Sequence, residues 1–536
     1  MLKKDPITVL AEKIRQIEPS VRWTFLVTLL GGMLVHFYSM SHKFFNYFEM
    51  GNIFSQMPFL QEDTVALGRW FMPIATNLFT SFSMPVYNTL ISLLYLAIAS
   101  ALIVNLLQIR SKVYGTLFGL VFVTFPGFTC VLSYGVNCDE IILALLLSIL
   151  AAYAFFKWKG GIIWGAVLLC FSLGAYQPYM SATIGVVYMM LFIKVFREKT
   201  TLKEFAMLVF RSVLMLAAGF ALYYLCLKLT LLITGVTLSD YHGVDSMTSF
   251  TPKGLAKGLV YTYGYFLSYF FTTAYTYTWD RVFCNVIGAG AFVALLVRRL
   301  VTKRTKGAGT DACANRLLLL LFIFLPLGVN AAPFLMADRV GAGVDRYMIF
   351  SLMFLWALLL SLLDMCKSEC LAFSSDSQRS LVQWAGLLAV TVSVLSGFLI
   401  CNQAYHRMEA MTETTGSLLN RIAARMEMTP GWSKDMPIYF VNCRALVNQN
   451  YEVEIPEYDA IKNMPGTFLR SSYSEEAIEK YLEVYLHFPV CVAAEEQKKA
   501  VEQTRAFAEM KSYPDESSIQ VIDGIMVVKI SDGEEY

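Results

Sequence analysis

The chain has 536 residues, of which 56% are hydrophobic and only 16% are charged. A soluble domain is about 45–50% apolar and about 25% charged, so this composition excludes an ordinary cytosolic, disordered or collagen-like protein. The 39 Phe, 29 Tyr and 25 Met residues exceed what one soluble core could bury. The composition therefore indicates a polytopic membrane protein.

The net charge of +2 is the sum of two regions of opposite sign. Residues 1–401 contain 30 Lys and Arg against 19 Asp and Glu, and residues 402–536 contain 13 against 22. A basic excess in a membrane region is typical of cytoplasmic loops, whereas an acidic segment without long apolar runs is typical of a separate domain. We therefore predict a transmembrane domain over 1–401 and an extracytoplasmic α/β domain over 402–536.

Many apolar segments approach the length of about 20 residues that a helix needs to cross a bilayer. They lie at 22–40, 86–108, 113–134, 141–157, 161–177, 179–196, 207–235, 282–299, 315–336, 347–365 and 381–401. Placing the Lys and Arg clusters between them in the cytoplasm gives a mainly α, polytopic helical bundle of about eleven spans with its tail outside. The Tyr- and Thr-rich segment 259–278 is then a re-entrant or interfacial helix; if it crosses instead, the tail is cytoplasmic.

In this topology the interesting polar residues lie on the outer face, in loops 41–85, 236–280 and 337–346. Three carboxylates there are candidates for a general base: Glu49 within an aromatic stretch, Asp63 in the same loop, and Asp139 where a span begins. A carboxylate at such a surface can accept the proton of a reacting hydroxyl. The alternative interpretations are that loop carboxylates are merely solvated and that Asp139 caps a helix dipole.

Two arginines on the same face are candidates for binding a phosphate. Arg69 lies between Gly68 and Trp70 at the mouth of a span, and Arg346 lies in a short loop between apolar helices. The alternatives are that Arg69 reaches toward lipid headgroups and that Arg346 pairs within its own loop. The candidates for contacting a sugar are Trp70, Glu140, Tyr176, Gln177 and Tyr179. Tyrosine is also a common residue of membrane interfaces.

The tail alternates between strand and helix patterns. Residues 437–443 and 519–530 predict strands, the second as a hairpin that turns at Asp523-Gly524. Residues 475–486 and 494–510 have helical periodicity, with Ser474 as a candidate N-cap. About 135 residues suffice for one small α/β domain.

These motifs together resemble a known family. The sequence Gly-Arg-Trp-Phe at 68–71, the segment Asn-Cys-Asp-Glu at 137–140 and the sequence Ala-Tyr-Gln-Pro-Tyr-Met-Ser at 175–181 are similar, in this order, to those of the bacterial type II glucosyltransferase membrane family. Phage-encoded O-antigen glucosyltransferases belong to that family. The resemblance covers roughly residues 20–400, together with the closing pattern around 513–514 and 522–524.

The resemblance implies a multi-span glycosyltransferase that takes a hexose, with glucose as the expected sugar, from a polyprenyl-phosphate donor. Such an enzyme attaches the sugar to a surface polysaccharide on the outer face of the bacterial plasma membrane. The family commonly has an Asp, often paired, in the first outer loop; here Glu49 is the best-placed residue. No Asp-x-Asp sequence occurs in the chain, so neither a metal nor a cofactor is expected, and no nucleic acid is an expected partner. An inverting single displacement at the anomeric carbon fits these residues.

A transporter or flippase of lipid-linked sugars is the competing interpretation, because transporters also have many spans and buried polar groups. Transporters place ionisable residues near the bilayer midplane and often have repeated halves. In this chain the candidate charges cluster toward one surface, and no internal repeat is evident. The sequence therefore favours the glycosyltransferase.

Overall fold

The structure is a computed structural model, and it describes most of the chain. The described residues are 5–44, 60–79, 83–198, 200–239, 251–302, 308–336, 344, 346–366, 371, 373–443, 459, 461, 464 and 475–530. The described part of the chain is mainly helical, at 77%. This confirms the predicted dominance of helices.

Eighteen of the helices begin before residue 365 within the described part of the chain. They are α1 Pro6–Gln16, α2 Pro19–Val35, α3 Phe37–Ser41, α4 Glu62–Ala66, α5 Met72–Phe79, α6 Pro85–Leu107, α7 Lys112–Val123, α8 Pro126–Leu132, α9 Cys138–Lys157, α10 Gly161–Ala175, α11 Met180–Arg197, α12 Leu202–Thr234, α13 Pro252–Phe271, α14 Trp279–Val301, α15 Ala308–Ile323, α16 Leu325–Val329, α17 Ala332–Met336 and α18 Phe354–Asp364. Local signals set several bounds. For example, a capping box between Thr201 and Glu204 opens α12, and Gly235 in the left-handed region ends it.

Six helices in the described residues are long and apolar enough to cross a membrane. They are Pro85–Leu107, Gly135–Lys157, Gln177–Arg197, Leu202–Thr234, Trp279–Val301 and Asp376–Met428. The bent pair α7 and α8 is a seventh if it forms one span. Several apolar helices are shorter, such as α2 and α10, and α13 is not among the six. The prediction of a polytopic helical protein is thus supported, and the number eleven stays a prediction.

The predicted span 113–134 is broken at Pro126, where α7 and α8 meet at an angle of 48°. Proline lacks an N–H and disfavours helical backbone in the residue before it, so the helix ends ahead of it. The carbonyl of Val123, close to the break, accepts a hydrogen bond from His36 Nε2 at 2.8 Å. Because Nε2 donates there, Nδ1 accepts the hydroxyl of Tyr405 at 2.7 Å. The break is therefore held by neighbouring helices.

The basic residues that the sequence assigns to inner loops gather at one end of the bundle. The amide of Arg110 donates to Asp364 Oδ2 at 2.7 Å, and Arg197 Nη1 donates to Gln108 Oε1 at 2.8 Å. Arg299 is buried, and its Nε donates to the carbonyl of Phe196 at 2.9 Å. These contacts join the ends of α6, α11, α14 and α18, so the starts of α9 and α11 lie at the opposite end.

Small residues allow α2 and α7 to pack closely. A Cβ on Gly115 would lie 2.5 Å from Thr24 Oγ1, and one on Gly119 would lie 2.5 Å from Thr28 Oγ1. Thr28 is also within hydrogen-bonding distance of Ser100, at 2.8 Å. Close approach through glycines and interhelical hydroxyl bonds is typical of membrane helix pairs, because lipid supplies no hydrophobic driving force between them.

The predicted span 381–401 is only part of a much longer helix, α19, which runs without a break from Asp376 to Met428 over 53 residues. At about 1.5 Å per residue it is about 80 Å long, whereas a bilayer core is about 30 Å thick. The helix therefore continues across the predicted domain boundary at residue 401 and into the tail.

The described tail is a small mixed α/β structure. It contains β1 Ile438–Val441, α20 Glu475–Leu486, α21 Glu495–Glu502, α22 Arg505–Glu509, β2 Ile519–Ile522 and β3 Ile525–Lys529. β3 lies in the middle of the sheet, parallel to β1 and antiparallel to β2. Asp523 and Gly524 both have positive φ, which confirms the predicted hairpin turn. The predicted helix 494–510 is two short helices, and Ser474 lies outside the described residues.

The last turns of α19 belong to the hydrophobic core of the tail. Leu418, Leu419 and Ile422 share that core with Phe440 of β1 and Met526 of β3. Because these side chains are buried together, the sheet is attached directly to the helix that emerges from the membrane part.

Candidate functional site

An interior cluster of aromatic residues lies at the end of the bundle opposite the basic clusters. The Tyr176 ring lies 5.1 Å from the Tyr179 ring and 6.1 Å from the Tyr347 ring, measured between centroids. Tyr347 in turn lies 6.0 Å from Tyr134, and Tyr179 lies 6.3 Å from Phe350. The cluster unites the segment before α9, the turn between α10 and α11, and the segment before α18. We call these five residues the tyrosine cluster.

Arg69 lies against the tyrosine cluster, with its Cζ 4.9 Å from the centroid of the Tyr176 ring. The segment that carries it is held by side chains from later helices. Gln177 Nε2 donates to the carbonyl of Leu67 at 2.8 Å, and the Tyr223 hydroxyl donates to the carbonyl of Gly68 at 3.1 Å. Arg69 Nε is buried and has no hydrogen-bond partner among the described residues. The guanidinium is therefore positioned and retains capacity to donate.

Trp70 anchors the same segment from its other side. A Cβ on Gly174 would lie 2.6 Å from Trp70 Cε2, so the indole occupies the space that this glycine leaves free. The amide of Phe71 donates to the carbonyl of Gly174 at 2.8 Å. Trp70 and Gln177, both predicted to contact a sugar, thus hold Arg69 in place in this structure.

Arg346, the second predicted phosphate ligand, borders the same cluster through its chain neighbour Tyr347. Its Cζ lies 5.5 Å from the centroid of the Tyr277 ring, and its Nε donates to the carbonyl of Ala274 at 3.3 Å. The two arginines are far apart in the sequence, and the structure places both beside the tyrosine cluster. Arg339 and Asp345 of the same loop lie outside the described residues.

Asp139 and Glu140 lie in the first turn of α9 and are 2% and 1% exposed. Asp139 Oδ1 accepts a hydrogen bond from Asn88 Nδ2 at 2.9 Å. The amide orientation of Asn88 is fixed, because its Oδ1 accepts the N–H of Met84 at 2.8 Å. Asp139 therefore accepts a hydrogen bond from a fixed donor at the start of α9.

The structure describes only one of the two remaining candidate bases, Asp63 and Glu49. Asp63 is exposed on the short helix α4, and Glu49 lies outside the described residues. The predicted sugar ligands Tyr176 and Tyr179 are both buried. The Tyr179 hydroxyl has no hydrogen-bond partner among the described residues. It is therefore a free polar group in the interior of the cluster.

Several polar residues at this end were not predicted from the sequence. A small cleft between α3, α6 and the start of α9 is lined by Lys43, Asn88 and Ser133, among others. Next to it, an oxygen of Glu409 on α19 lies 3.1 Å from His42 Nε2, and this carboxylate accepts a hydrogen bond from Tyr38. Asn88 could have been predicted from the sequence, since it is a polar residue in the first turn of an apolar span. Glu409 could not have been predicted, because it lies beyond the predicted end of its span.

Arg281 in the first turn of α14 is also buried and was not predicted. Its Nη1 donates to the carbonyl of Ser393 at 3.1 Å, and its Nε has no partner among the described residues. A buried guanidinium is rare in a membrane protein and points to a functional region. In the described parts of the chain, no three His, Cys, Asp or Glu side chains form a group that could hold a metal ion.

A helical membrane protein with arginines, buried carboxylates and tyrosines gathered at one end has the features of an enzyme that binds an anionic substrate. The family Glucosyl transferase GtrII matches residues 37–359, which is more than half of the chain. The chain belongs to this family, which confirms the resemblance found in the sequence. No curated protein matches the chain. The match includes Arg69, Asp139, Tyr176 and Arg346 and ends before the tail. Membership supports a glycosyltransferase and does not favour the transporter.

Proposed function

We propose that the protein transfers a hexose, with glucose as the expected sugar, from a polyprenyl-phosphate donor to a polysaccharide on the outer face of the plasma membrane. The observation that carries this proposal is the position of Arg69 and Arg346 beside one tyrosine cluster. Two cations suit the phosphate of such a donor, and aromatic rings suit the faces of a sugar. The family supplies the class of reaction.

In the proposed reaction, a hydroxyl of the acceptor attacks C1 of the hexose while the bond from C1 to the phosphate oxygen breaks. The electron pair of that bond stays on the phosphate, which leaves as polyprenyl phosphate with one more negative charge. Arg69 and Arg346 stabilise this developing charge, which is where preorganised cations contribute most. Attack from the opposite side of the sugar inverts the anomeric centre.

The proton of the attacking hydroxyl passes to a carboxylate. Among the described candidates Asp139 fits this role best, because it is held by Asn88 and lies at the same end of the bundle as the arginines. Glu140 beside it and the free hydroxyl of Tyr179 are the proposed sugar ligands. Glu49 remains a second candidate for the base.

The orientation of the site is also a proposal. The end that holds Arg110, Arg197 and Arg299 is rich in basic residues, and such ends face the cytoplasm in membrane proteins. The site end and the tail are then extracytoplasmic. A lipid-linked donor fits that side because no nucleotide sugars are available there.

The test uses the purified full-length protein in proteoliposomes with polyprenyl-phosphate glucose that carries a radiolabelled sugar. The acceptor is surface polysaccharide from a strain that lacks the gene. We expect transfer by the wild type and a loss of about 10²–10⁴-fold in kcat for Asp139→Asn, since that is the usual contribution of a general base. Glu49→Gln, measured in parallel, decides between the two candidate bases.

Asp376→Asn is the matched control, because Asp376 is also a first-turn acid, lies at the basic end and pairs only with Arg379 among the described residues. We expect it to retain wild-type transfer. Wild-type rates in both Asp139→Asn and Glu49→Gln would contradict the assignment of the base. Absence of transfer from the lipid-linked donor by the wild type would contradict the proposed donor.

A further inference from the structure

A cavity of about 360 Å³ lies among α13, α14, α16 and α18, with the end of α15 at its edge. Its wall is apolar and rich in aromatic residues. Four side chains in the wall carry polar groups. Asn285 Nδ2 donates to the carbonyl of Tyr269 at 2.8 Å, the Tyr263 hydroxyl donates to the carbonyl of Ile323 at 2.7 Å, and Tyr269 and Trp356 hydrogen-bond to each other. The cavity therefore offers mainly dispersion contacts, as a hydrocarbon chain requires.

The cavity opens on the side of the bundle that faces lipid. Leu267 and Phe271 of α13 and Ile323 of α15 line it and are 53%, 59% and 60% exposed. Gly288 at its floor is packed against Trp356, since a Cβ there would lie 2.8 Å from Trp356 Cζ3. A chain can thus enter from the bilayer and rest on a fixed aromatic floor.

The wall formed by α13 lies close in the chain to a residue that binds Arg346. Phe271 lines the cavity, and Ala274, three residues later, accepts the hydrogen bond of Arg346 Nε. Three residues span at most about 10 Å. The same helix holds the Arg346 loop through Tyr265, whose hydroxyl accepts the amide of Val344 at 3.0 Å. A phosphate at Arg346 and a hydrocarbon in the cavity are therefore within reach of one lipid molecule.

We propose that this cavity binds the part of the donor's isoprenoid chain nearest its phosphate; this inference rests on the proposed function. The positive charge of Arg346, which is held near the cavity through Ala274, favours a lipid that carries a phosphate. A volume near the lower end of the roughly 300–1,000 Å³ of typical ligand sites accommodates a segment of the chain, and the rest stays in the bilayer. Lipid solvates the isoprenoid chain almost as well as the cavity does. The cavity therefore contributes to donor binding through its shape and by orienting the phosphate toward Arg346.

The test fills the cavity with a larger side chain. Ala289 lines the cavity, and Ala289→Phe places a ring in it. Its neighbour Gly290 does not line the cavity, and a Cβ there meets nothing within 4 Å, so Gly290→Phe is the matched control. Transfer is measured with a long-chain polyprenyl-phosphate glucose and with an analogue of two isoprene units. We expect Ala289→Phe to raise the KM for the long-chain donor about fivefold or more and to leave that for the short analogue unchanged.

A second measurement separates this inference from the proposed reaction. Long-chain polyprenyl phosphate without sugar, carrying a diazirine near its phosphate end, is photo-crosslinked to the full-length protein in nanodiscs. We expect labelling of peptides from α13 and α14 that decreases in Ala289→Phe and persists in Gly290→Phe. Labelling that is equal in all three proteins would overturn the cavity assignment even when transfer occurs. Labelling that follows this pattern without sugar transfer would retain the cavity and reject the reaction.

Discussion

Asn88 determines how Asp139 is presented. Its amide oxygen is occupied by the N–H of Met84, so only its NH₂ group can face the carboxylate. A carboxylate in place of this amide would turn an attraction into a repulsion between like charges. The hydrogen bond to Asp139 therefore requires the NH₂ group that Asn has and Asp lacks.

We accordingly expect Asn88→Asp to lower kcat for sugar transfer while the KM for the donor stays within the error of the wild type. A hydrogen bond to a charged group is worth about 1.5–3 kcal/mol, which corresponds to roughly 10–100-fold in rate. Asn105→Asp is the control, because Asn105 lies on the same helix and accepts a hydrogen bond from Tyr153 at 3.2 Å. Equal rates for Asn88→Asp and the wild type would show that Asp139 is not involved in turnover.

The residues of the site differ in how well the sequence predicts them. Arg69 and Asp139 are detectable because a charge beside an apolar span is costly and needs a reason. The contact between Gln177 and Leu67 joins residues 110 positions apart, and that between His36 and Tyr405 joins residues 369 apart. No local pattern encodes such pairs. For this reason the sequence does not reveal that Gln177 supports the Arg69 segment, and its predicted contact with a sugar stays a prediction.

At the scale of the elements, α19 is fixed to α3 where it leaves the predicted span. Glu409 pairs with His42 and accepts the hydroxyl of Tyr38, whose ring stacks on His42 at 4.3 Å. His42 and Glu409 are 41% and 26% exposed, so the contact between these two side chains contributes little to stability. The Tyr38 hydroxyl donates to the same carboxylate, and a hydrogen bond to a charged acceptor contributes more than one between neutral groups.

We expect Glu409→Ala to reduce the free energy of unfolding by about 1–2 kcal/mol and Glu409→Gln to reduce it by less, since the amide oxygen still accepts from Tyr38. The measurement is the thermal unfolding of the full chain in detergent. Glu413→Ala, one turn further along the same helix at an exposed position, is expected to change stability by less than about 0.5 kcal/mol. Indistinguishable melting temperatures for Glu409→Ala and Glu413→Ala would refute the role of this contact.

Element boundaries follow from the sequence where a local signal exists. The predicted spans 86–108 and 179–196 correspond closely to α6 and α11, because long apolar runs have few alternatives in a membrane. The Asp523-Gly524 turn was predicted because both positions need positive φ. The end of α19 is not predictable in this way, since the helix continues through a polar sequence that is stabilised by tertiary packing onto the tail.

At the scale of the whole molecule, one end of the bundle is basic and the other holds the site. We expect the basic end to be cytoplasmic, so that alkaline phosphatase fused after residue 430 is active in intact cells. A cytoplasmic reporter such as a fluorescent protein at the same position is expected to be dark. The reverse result would place the tail inside and make α13 a true span, which was the alternative topology.

The unbroken α19 has a mechanical consequence. A continuous helix transmits rotation as well as translation: one residue more or less beyond the membrane would turn everything after it by about 100° and shift it by about 1.5 Å. The sheet of the tail therefore has a set distance and a set orientation relative to the apolar part of α19. An insertion or a deletion between residues 402 and 417 would change both this distance and this orientation.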